Sequence, residues 1–470
     1  MTAKGSFEDS TIWPEVQDII NSKDVLLLYD YKGTLHTEKE DVAIWDLSSL
    51  ETTRDYLNDI GDTARIIFRV GLGDYVNRVF PYRQNLEFTV KKVPLSLTGG
   101  AKAKNKTTSV TRYRAIFNPA NNPPVGGSEL EAHSPEDLNN TDMVEVHLEL
   151  VDRSLVPLRI KTTGGAYRKV RPASVIRALL GGESLQVLVD GKPSIDGLDL
   201  VEPDNQEIIN NVIIPHGTPM TAVPTYIQHT VGGVYNRGIG TYFQTFEGKK
   251  LWFVYPVYDT ERFDSKDKRI VFYSVPQERL PQLDRSYCQL GNLTKVAVTA
   301  QRRYNDNAEL GYMNQGSGFR MADANAFMKK PVVMVDGAPM GSRARLNHEV
   351  VIKERKDGLN YAPTAAGGPS SNPFFQRSAV VARSLAQLDL VWENANTDVI
   401  YPGMPCKYIY LSQGKAISLK GTILFVHSLS ARVERQNAAA FRTTARITIA
   451  CEAQTKTPDL PATDSVGNNT

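Results

Sequence analysis

One stretch of the sequence places residues that could do phosphoryl-transfer chemistry directly after an apolar run. Residues 25–35 read Val-Leu-Leu-Leu-Tyr-Asp-Tyr-Lys-Gly-Thr-Leu, so Asp30 and Lys32 stand where an aspartate-based phosphatase needs two carboxylates. One carboxylate attacks phosphorus, and the other exchanges a proton with the leaving group. Lys32 cannot perform both proton transfers at neutral pH. The pattern therefore favours a strand that ends in a turn.

Other residues with catalytic potential do not group along the sequence. The seven histidines include no pair at i, i+4 spacing and none near a cysteine, so no zinc site is indicated. Ser317 lies between two glycines, but these flank it one residue too closely for a nucleophile elbow. No glycine-rich phosphate loop is present. We therefore predict that the protein is not an enzyme and has no catalytic residue, cofactor or metal.

Composition indicates a globular chain with an uneven charge distribution. The 470 residues are 41% hydrophobic and 23% charged, which is typical of packed domains. Residues 1–150 hold 16 basic and 23 acidic side chains, a net charge of −7, whereas residues 401–450 hold 7 and 1, a net charge of +6. We predict that these regions meet, between neighbouring subunits, through the interface candidates Arg432, Arg435 and Arg442.

The cysteines and the N-terminal residues indicate the cellular compartment in which the protein folds. Three scattered cysteines are too few for a disulfide framework, which favours a reducing compartment. Glu8 and Asp9 do not fit a signal peptide, and the longest early apolar run, residues 25–29, is too short to span a membrane. Neither general secretion nor membrane insertion is expected.

The most informative segment contains two aromatic runs after a short helix signal. The helix is predicted over residues 224–231, and the runs cover residues 240–246 and 249–256. Their alternating side chains and two-residue connection predict a β-hairpin. A hairpin with so many large side chains must be covered by other elements. We expect Trp252 and Phe243 to pack into a small α/β domain or against a neighbouring subunit. The aromatic residues expected to be structural or to lie at an interface are Tyr242, Phe243, Trp252, Phe253 and Tyr255.

Strand signals dominate the rest of the chain. Strands are predicted over residues 25–29, 65–70, 86–93, 144–151, 185–189, 269–273, 295–299, 407–411, 421–426 and 442–450. Helices are predicted over residues 172–180, before Gly181 and Gly182, and over 383–390. Segments rich in Gly, Pro, Ser and Asn predict loops or flexible arms over residues 98–109, 118–135, 362–373 and 455–470.

A basic stretch follows the predicted strand at residues 144–151. It contains Arg159, Lys161, Arg168, Lys169 and Arg171, and Arg302 and Arg303 form a second basic group. Such residues could contact nucleic-acid phosphates. Basic residues spread along strands and turns lie more often on solvated faces or at subunit contacts, which is the interpretation we favour.

Three segments share the pattern of one family. Residues 143–180 contain Val-Glu-Val-His-Leu-Glu-Leu-Val-Asp-Arg-Ser-Leu-Val-Pro-Leu-Arg, then Thr-Thr-Gly-Gly-Ala-Tyr-Arg and a short helix. Residues 223–263 place a helix and a Gly-Val-Tyr-Asn turn before the aromatic hairpin, and residues 402–450 lead from Pro-Gly-Met-Pro into three strands. Together these segments resemble the baseplate hub proteins of contractile-tailed bacteriophages.

The resemblance implies a β-rich α+β fold with two tube-protein-like β-barrels, a small α/β domain and a long insertion. It places a first barrel with long loops at residues 1–150 and an α/β connecting domain at residues 151–284. A second barrel follows at residues 285–452, with an insertion at about 311–390, and residues 453–470 form a flexible tail. The insertion and the Gly/Pro arms set this chain apart from the shorter members of the family.

The resemblance also implies a function in assembly. A homotrimer would present six barrels to the sixfold tail tube and a threefold side to the puncturing spike. The implied partners are the tail spike protein, the tail tube or a tube-adaptor protein, and the tape measure protein and wedge components, with DNA only as passing cargo. The implied location is the virion tail baseplate, assembled in the host cytoplasm. Two alternatives stay open: a hexameric tube-end adaptor or distal tail protein, and a tail-associated hydrolase.

Overall fold

The computed structural model describes residues 7, 10–22, 27–96, 108–122, 143–264, 268–278, 286–301, 381, 385–433 and 440–452, with short strands between 319 and 361. Its α-helices are α1 (Trp13–Ile20), α2 (Leu72–Asp74), α3 (Leu155–Ile160), α4 (Pro172–Ile176) and α5 (Val223–Thr230). A π-helical segment, Tyr75–Val79, follows α2, and another, Arg177–Glu183, follows α4. No helix in these ranges has the length and apolar composition needed to cross a bilayer.

The first strands, in chain order, are β1 (Leu27–His36), β2 (Asp41–Val42), β3 (Asp46–Asp55), β4 (Thr63–Gly71), β5 (Leu86–Ser96), β6 (Ser109–Phe117), β7 (Met143–Asp152), β8 (Thr162–Val170), β9 (Leu188–Val189), β10 (Lys192–Pro193), β11 (Gly197–Leu200), β12 (Ile209–Pro219), β13 (Ile239–Phe246) and β14 (Lys249–Pro256). The later strands are β15 (Arg269–Ser274), β16 (Tyr287–Leu290), β17 (Leu293–Gln301), β18 (Phe319–Asp323), β19 (Met334–Val335), β20 (Ala338–Pro339), β21 (His348–Glu354), β22 (Asn360–Tyr361), β23 (Leu385–Trp392), β24 (Pro405–Ser412), β25 (Lys415–Val433) and β26 (Ala440–Glu452). The predicted β-rich α+β class is confirmed.

The first barrel is a closed circuit of β1, β5, β6, β7, β4, β3, β25 and β26. All of its neighbouring strands are antiparallel, and the pair Tyr29 and Phe441 closes it. Alternate residues of β4 point inward and are buried, as expected for a strand with one face on a core. Phe68, Phe88 and Leu148 are buried at its centre.

The second barrel is a closed circuit of β25, β26, β23, β17, β15 and β24. Strand β15 runs parallel to both of its neighbours, and the other pairs in the circuit are antiparallel. Its interior contains Phe272, Trp392 and Ile447. Helix α1 covers part of the outer face, where Val16 and Ile19 pack against Val271.

The two barrels share one strand pair. β25 has 19 residues and pairs with β26 from Gly421 opposite Cys451 to Val433 opposite Ala440. Residues 415–422 of β25 pair with β24 in the second barrel, and residues 425–431 pair with β3 in the first. The change of partner coincides with a register shift between Ile423 and Phe425, which bends the strand from one barrel to the other.

Between β7 and β15 the chain forms a connecting domain. It contains the antiparallel ribbon of β8 and β12, a three-stranded sheet in the order β11, β14, β13, and helices α3, α4 and α5. Its core includes Leu155, Ile176, Ile214 and Ile227. The helices and the ribbon thus cover one face of the aromatic hairpin.

Three predictions about local structure are wrong. Residues 383–390 were expected to be helical, but Leu385–Trp392 is strand β23, whose inward residues enter the second barrel. Of the strand predicted over 185–189, only Leu188–Val189 is extended, because helical turns continue past Gly181 to Glu183. Asp30 lies within β1 rather than before a turn.

Several other predicted features lie largely or wholly outside the described residues. These are the arms at 98–109, 118–135 and 362–373, the tail at 453–470, and Arg435. Of the insertion at about 311–390, only short strands, residue 381 and the start of β23 are described.

Candidate functional site

The aromatic hairpin is the element at which three units meet: the first barrel, the second barrel and the connecting domain. Its predicted strands are confirmed as β13 and β14, which are antiparallel neighbours. Glu247 and Gly248 connect them with φ angles of 50° and 79°, the left-handed pair that a two-residue turn of this type requires. Tyr242 lies opposite Phe253, and Phe243 lies opposite Trp252, so successive pairs face opposite sides.

One face of the hairpin belongs to the core of the connecting domain. Phe243 and Trp252 pack edge to face, with their ring centroids 5.4 Å apart. The indole Nε1 of Trp252 donates a hydrogen bond to Ser184 Oγ over 3.2 Å. Because Trp252 is fully buried and its polar atom is satisfied, this face is part of a structural core.

The opposite face belongs to the core of the second barrel. Tyr242, Phe253 and Tyr255 are buried there, and Phe253 stacks on Tyr401 with centroids 6.0 Å apart. Gly403, at φ +69°, leaves room for the ring of Tyr255, which a side chain at that position would strike. The hairpin is therefore a middle layer with large side chains on both sides.

A buried polar network ties the first barrel to the same layer. Arg54 on β3 pairs with Asp62, with Nε 3.1 Å from Oδ2, and donates to the carbonyl oxygen of Thr397 over 2.8 Å. Burial raises the pKa of Asp62, although the positive charge of Arg54 opposes that shift. This pair therefore links the first barrel to the loop that follows β23.

The hairpin joins this network through Gln244. The hydroxyl of Tyr56 donates to Gln244 Oε1 over 3.2 Å, and Gln244 Nε2 donates to the carbonyl oxygen of Ile400 over 2.8 Å. The hydroxyl of Tyr255 donates to the carbonyl oxygen of Tyr56 over 3.1 Å. Each buried amide and hydroxyl bonded here would be costly to leave without a partner, so the three units are held in one arrangement.

A cavity of about 920 Å³ opens beside the network, at the polar end of the first barrel. Two ion pairs involve its lining: Lys92 Nζ lies 2.7 Å from Asp398 Oδ2, and Arg153 Nε lies 2.9 Å from Glu87 Oε1. Among the described residues, no group of His, Cys, Asp or Glu side chains could hold a metal ion. The arrangement supports assembly of the first barrel, the second barrel and the connecting domain.

Within the chain the acidic first region and the basic late region touch at two points, whereas their contact between neighbouring subunits stays a prediction. Arg432 Nη1 on β25 lies 2.8 Å from Asp46 Oδ2 on β3, and His427 Nε2 lies 2.6 Å from Glu51 Oε1. Both contacts follow from the pairing of β25 with β3. Arg442 is exposed on β26, and Arg435 lies outside the described residues.

Sequence reasoning missed the polar network because its partners are far apart in the chain. Tyr56 and Gln244 are separated by 188 residues, and Arg54 and Thr397 by 343. No spacing rule connects such positions. The sequence offered no local signal for Arg54, which lies in β3, where no strand was predicted.

Comparison with known proteins yields matches among solved structures alone. No protein-family model matches the sequence, and no significant match was found among curated proteins. The fold is similar to a tail protein from Neisseria meningitidis MC58, with 10% identity, a TM-score of 0.43, and coverage of 89% of this chain and 96% of that chain. It is also similar to a prophage MuSo2 tail protein from Shewanella oneidensis, with 9% identity, a TM-score of 0.41, and coverage of 90% and 100%.

A third similar structure is the c3393 protein of E. coli, with 10% identity, a TM-score of 0.39, and coverage of 89% of this chain and 77% of that chain. That protein is described as a component of the type VI secretion system with structural similarity to the T4 bacteriophage tail proteins gp27 and gp5.

Proposed function

We propose that this protein is a structural component of a contractile tail, the central baseplate hub that links the sixfold tail tube to the threefold spike. The observation that carries the proposal is the presence of two closed barrels in one chain. Three copies of such a chain present six barrels, which is the number needed to continue a sixfold tube on a threefold base. The resemblance of residues 143–180, 223–263 and 402–450 to hub proteins supports the same assignment.

The joint between the barrels suits this function. A symmetry adaptor must hold its two barrels at a fixed separation, because an error in spacing would be repeated in every subunit of the closed assembly. Here β25 and β26 enter both barrels, and the hairpin packs against the second barrel and the connecting domain together. The chain can therefore present both barrels as one rigid unit.

The outer face of the first barrel carries charged side chains beside the exposed apolar side chains of Val110, Ile116 and Leu429. Arg65 contacts Glu51 and Glu149, with N to O distances of 3.8 and 3.9 Å, and Arg112 Nε lies 2.6 Å from Glu87 Oε2. Such side chains contribute little to stability, but they select orientation when subunits meet. This surface suits contacts that form during assembly.

The proposed partners follow from this position. We propose a homotrimer in the tail baseplate of the virion, assembled in the host cytoplasm. The spike protein lies on its threefold side, and the tail tube or a tube-adaptor protein lies on its sixfold side. Tape measure and wedge components are further partners, and DNA passes through the assembled channel.

The copy number in purified tails tests the proposal. A particle reconstruction should place three copies of this chain around the axis, with their barrels arranged six to a ring. The mass of the purified complex, measured with and without the spike protein, should match one trimer bound to one trimeric spike. Six copies around the axis would instead identify a tube-end adaptor or distal tail protein, and a single copy would refute both assignments.

A further inference from the structure

The end of β8 and the helical turns that follow it carry exposed positive charges that form no ion pair among the described residues. We call this the basic face and define it by Arg168, Lys169, Arg171 and Arg177, which are all exposed. No salt bridge or hydrogen bond from these four side chains occurs among the described residues, whereas nearby Lys161 contacts Glu183 over 3.6 Å. Residues 155–180 and 209–219 contain no acidic residue. Strands β8 and β12 therefore supply no negative charge of their own to offset this positive field, and the nearest acidic residue of the following helical turns, Glu183, contacts Lys161.

Local geometry keeps the basic face outward. Arg168 lies opposite Asn211 in the ribbon, while the next pair, Tyr167 and Val212, turns towards the core of the connecting domain. Lys169 is held at φ 51°, a left-handed conformation that is uncommon for lysine. Strained backbone of this kind is often retained where a side chain must be presented in one direction.

Exposed isoleucines flank the same ribbon. Ile213 is 60% exposed, Ile208 is 59% exposed and Ile160 is 78% exposed. The outer edges of β8 and β12 pair with no other strand in the described part of the chain. Basic and β-branched apolar side chains beside free strand edges suit a protein segment. A nucleic-acid site would instead be expected to offer stacking aromatic side chains or base-reading polar groups.

The chain itself contains a segment of complementary chemistry. Residues 129–142 contain five acidic residues and no lysine or arginine, and Leu130 and Leu138 lie among them. We propose that the basic face docks residues 129–142 of a neighbouring copy, with carboxylates on the four cations and the two leucines on the exposed isoleucines. The assignment of the docked segment to a neighbouring copy rests on the homotrimer proposed above. The assignment of the basic face as a docking surface does not.

Reach favours the neighbouring copy as the source. The segment leaves the described chain at Asn122, which is hydrogen-bonded to His147 on β7, and returns at Met143. The ten residues of β7 then run to the start of the connecting domain, a path of about 33 Å at the rise of a strand. Residues 123–142 join Asn122 to Met143. To reach the connecting domain of its own copy, half of this segment would have to span about 33 Å, which is almost its fully extended length.

Peptide binding tests the surface. The full chain is prepared with its own segment neutralised (Glu129→Gln, Glu131→Gln, Glu136→Gln, Asp137→Asn and Asp142→Asn), so that the basic face is vacant. A fluorescent peptide of residues 127–144 should bind this protein, and affinity should fall at least about tenfold between low salt and 0.5 M salt because charge attraction is screened. Adding Arg168→Glu, Lys169→Glu and Arg171→Glu should abolish binding. The matched reversal of exposed cations elsewhere, Lys91→Glu, Lys192→Glu and Lys415→Glu, should not.

Cross-linking tests the source of the segment. A carbodiimide joins a carboxylate directly to a contacting amine, and Lys169 supplies the one amine of the basic face. One chain carries Lys169→Arg with an intact acidic segment, and a co-expressed chain carries Lys169 with the neutralised segment. A cross-link between Lys169 and residues 129–142 can then form only between copies. We expect it in the co-expressed pair and in the wild type, and not in either variant alone.

The outcomes separate this proposal from its rivals and from the proposed function. A cross-link in the wild type but not in the co-expressed pair would overturn docking between copies. Absence of peptide binding would overturn the site, and salt-sensitive binding of a DNA duplex by the same face would then identify nucleic acid as its ligand. Light scattering reports the copy number independently. A chain that fails to trimerise but binds the peptide refutes the proposed hub and leaves the surface assignment intact.

Discussion

Replacing Trp252 with alanine should unfold the connecting domain. The side chain is fully buried between Phe243 and the helical part of the domain. A buried tryptophan removes about 150–250 Å² of surface from water, worth about 4–6 kcal/mol at 25 cal/mol per Å². The lost edge-to-face contact and the lost hydrogen bond to Ser184 add to this. Measured tryptophan truncations in cores cost about 3–5 kcal/mol.

That loss is comparable to the whole stability of an ordinary domain, about 5–15 kcal/mol. A chain of several packed units does not unfold in one step, so a single midpoint would not isolate the effect. Hydrogen exchange measured by mass spectrometry is the suitable assay. Peptides from α3, α4 and β13 should lose most of their protection in Trp252→Ala, whereas peptides from β4 and β7 in the first barrel should keep more of theirs.

The chain offers a matched control in Trp45, which is 68% exposed. Trp45→Ala removes the same side chain from the surface, where substitutions usually change stability by less than about 0.5 kcal/mol. A soluble Trp252→Ala protein with the exchange profile of Trp45→Ala and normal assembly would refute the structural interpretation. The hairpin would then have to be a recognition surface.

Three further predictions concern buried groups and the apparent phosphatase motif. Arg54→Met should lower the hydrogen-exchange protection of β3 by about 2–3 kcal/mol, because Asp62 loses its counter-charge, and Arg54→Met with Asp62→Leu should recover most of that loss. The three cysteines are buried, and burial raises the pKa of Cys451 to about 12, so a thiol reagent at pH 8 should label the protein only after unfolding. Neither the wild type nor Asp30→Asn should hydrolyse a generic phosphate ester, and activity lost on that substitution would contradict the prediction.

The hairpin could be predicted from sequence because its signals are local. Glu247 and Gly248 form a two-residue connection, and the flanking aromatic residues alternate with period two. The need for cover was also predictable, since no isolated hairpin hides so much apolar surface. What the sequence did not reveal is that the cover comes from two different cores, on opposite faces of the hairpin.

Non-local features were beyond such reasoning. Residues 383–390 are compatible with a helix, but most of them belong to β23, where Leu390 and Trp392 fill the second barrel, so tertiary packing overrides local propensity there. Likewise, Arg54 and Asp62 resemble ordinary strand and turn residues until Thr397 is placed beside them. Such contacts depend on the order of strands in the circuits, which alternation alone does not determine.

The shared strand pair also determines how the chain must fold. β25 and β26 form from residues 415–452, yet the first barrel needs them to close a sheet that begins at residue 27. A slip of one residue between them would turn inward side chains outward in both barrels at once. Neither barrel can therefore reach its final register independently of the other, and the late strands fix both together. Such long-range pairing is slow to form, but it leaves the spacing of the two barrels without a flexible hinge. The hub proposed above, which would match a threefold spike to a sixfold tube, would need that property more than it needs rapid folding.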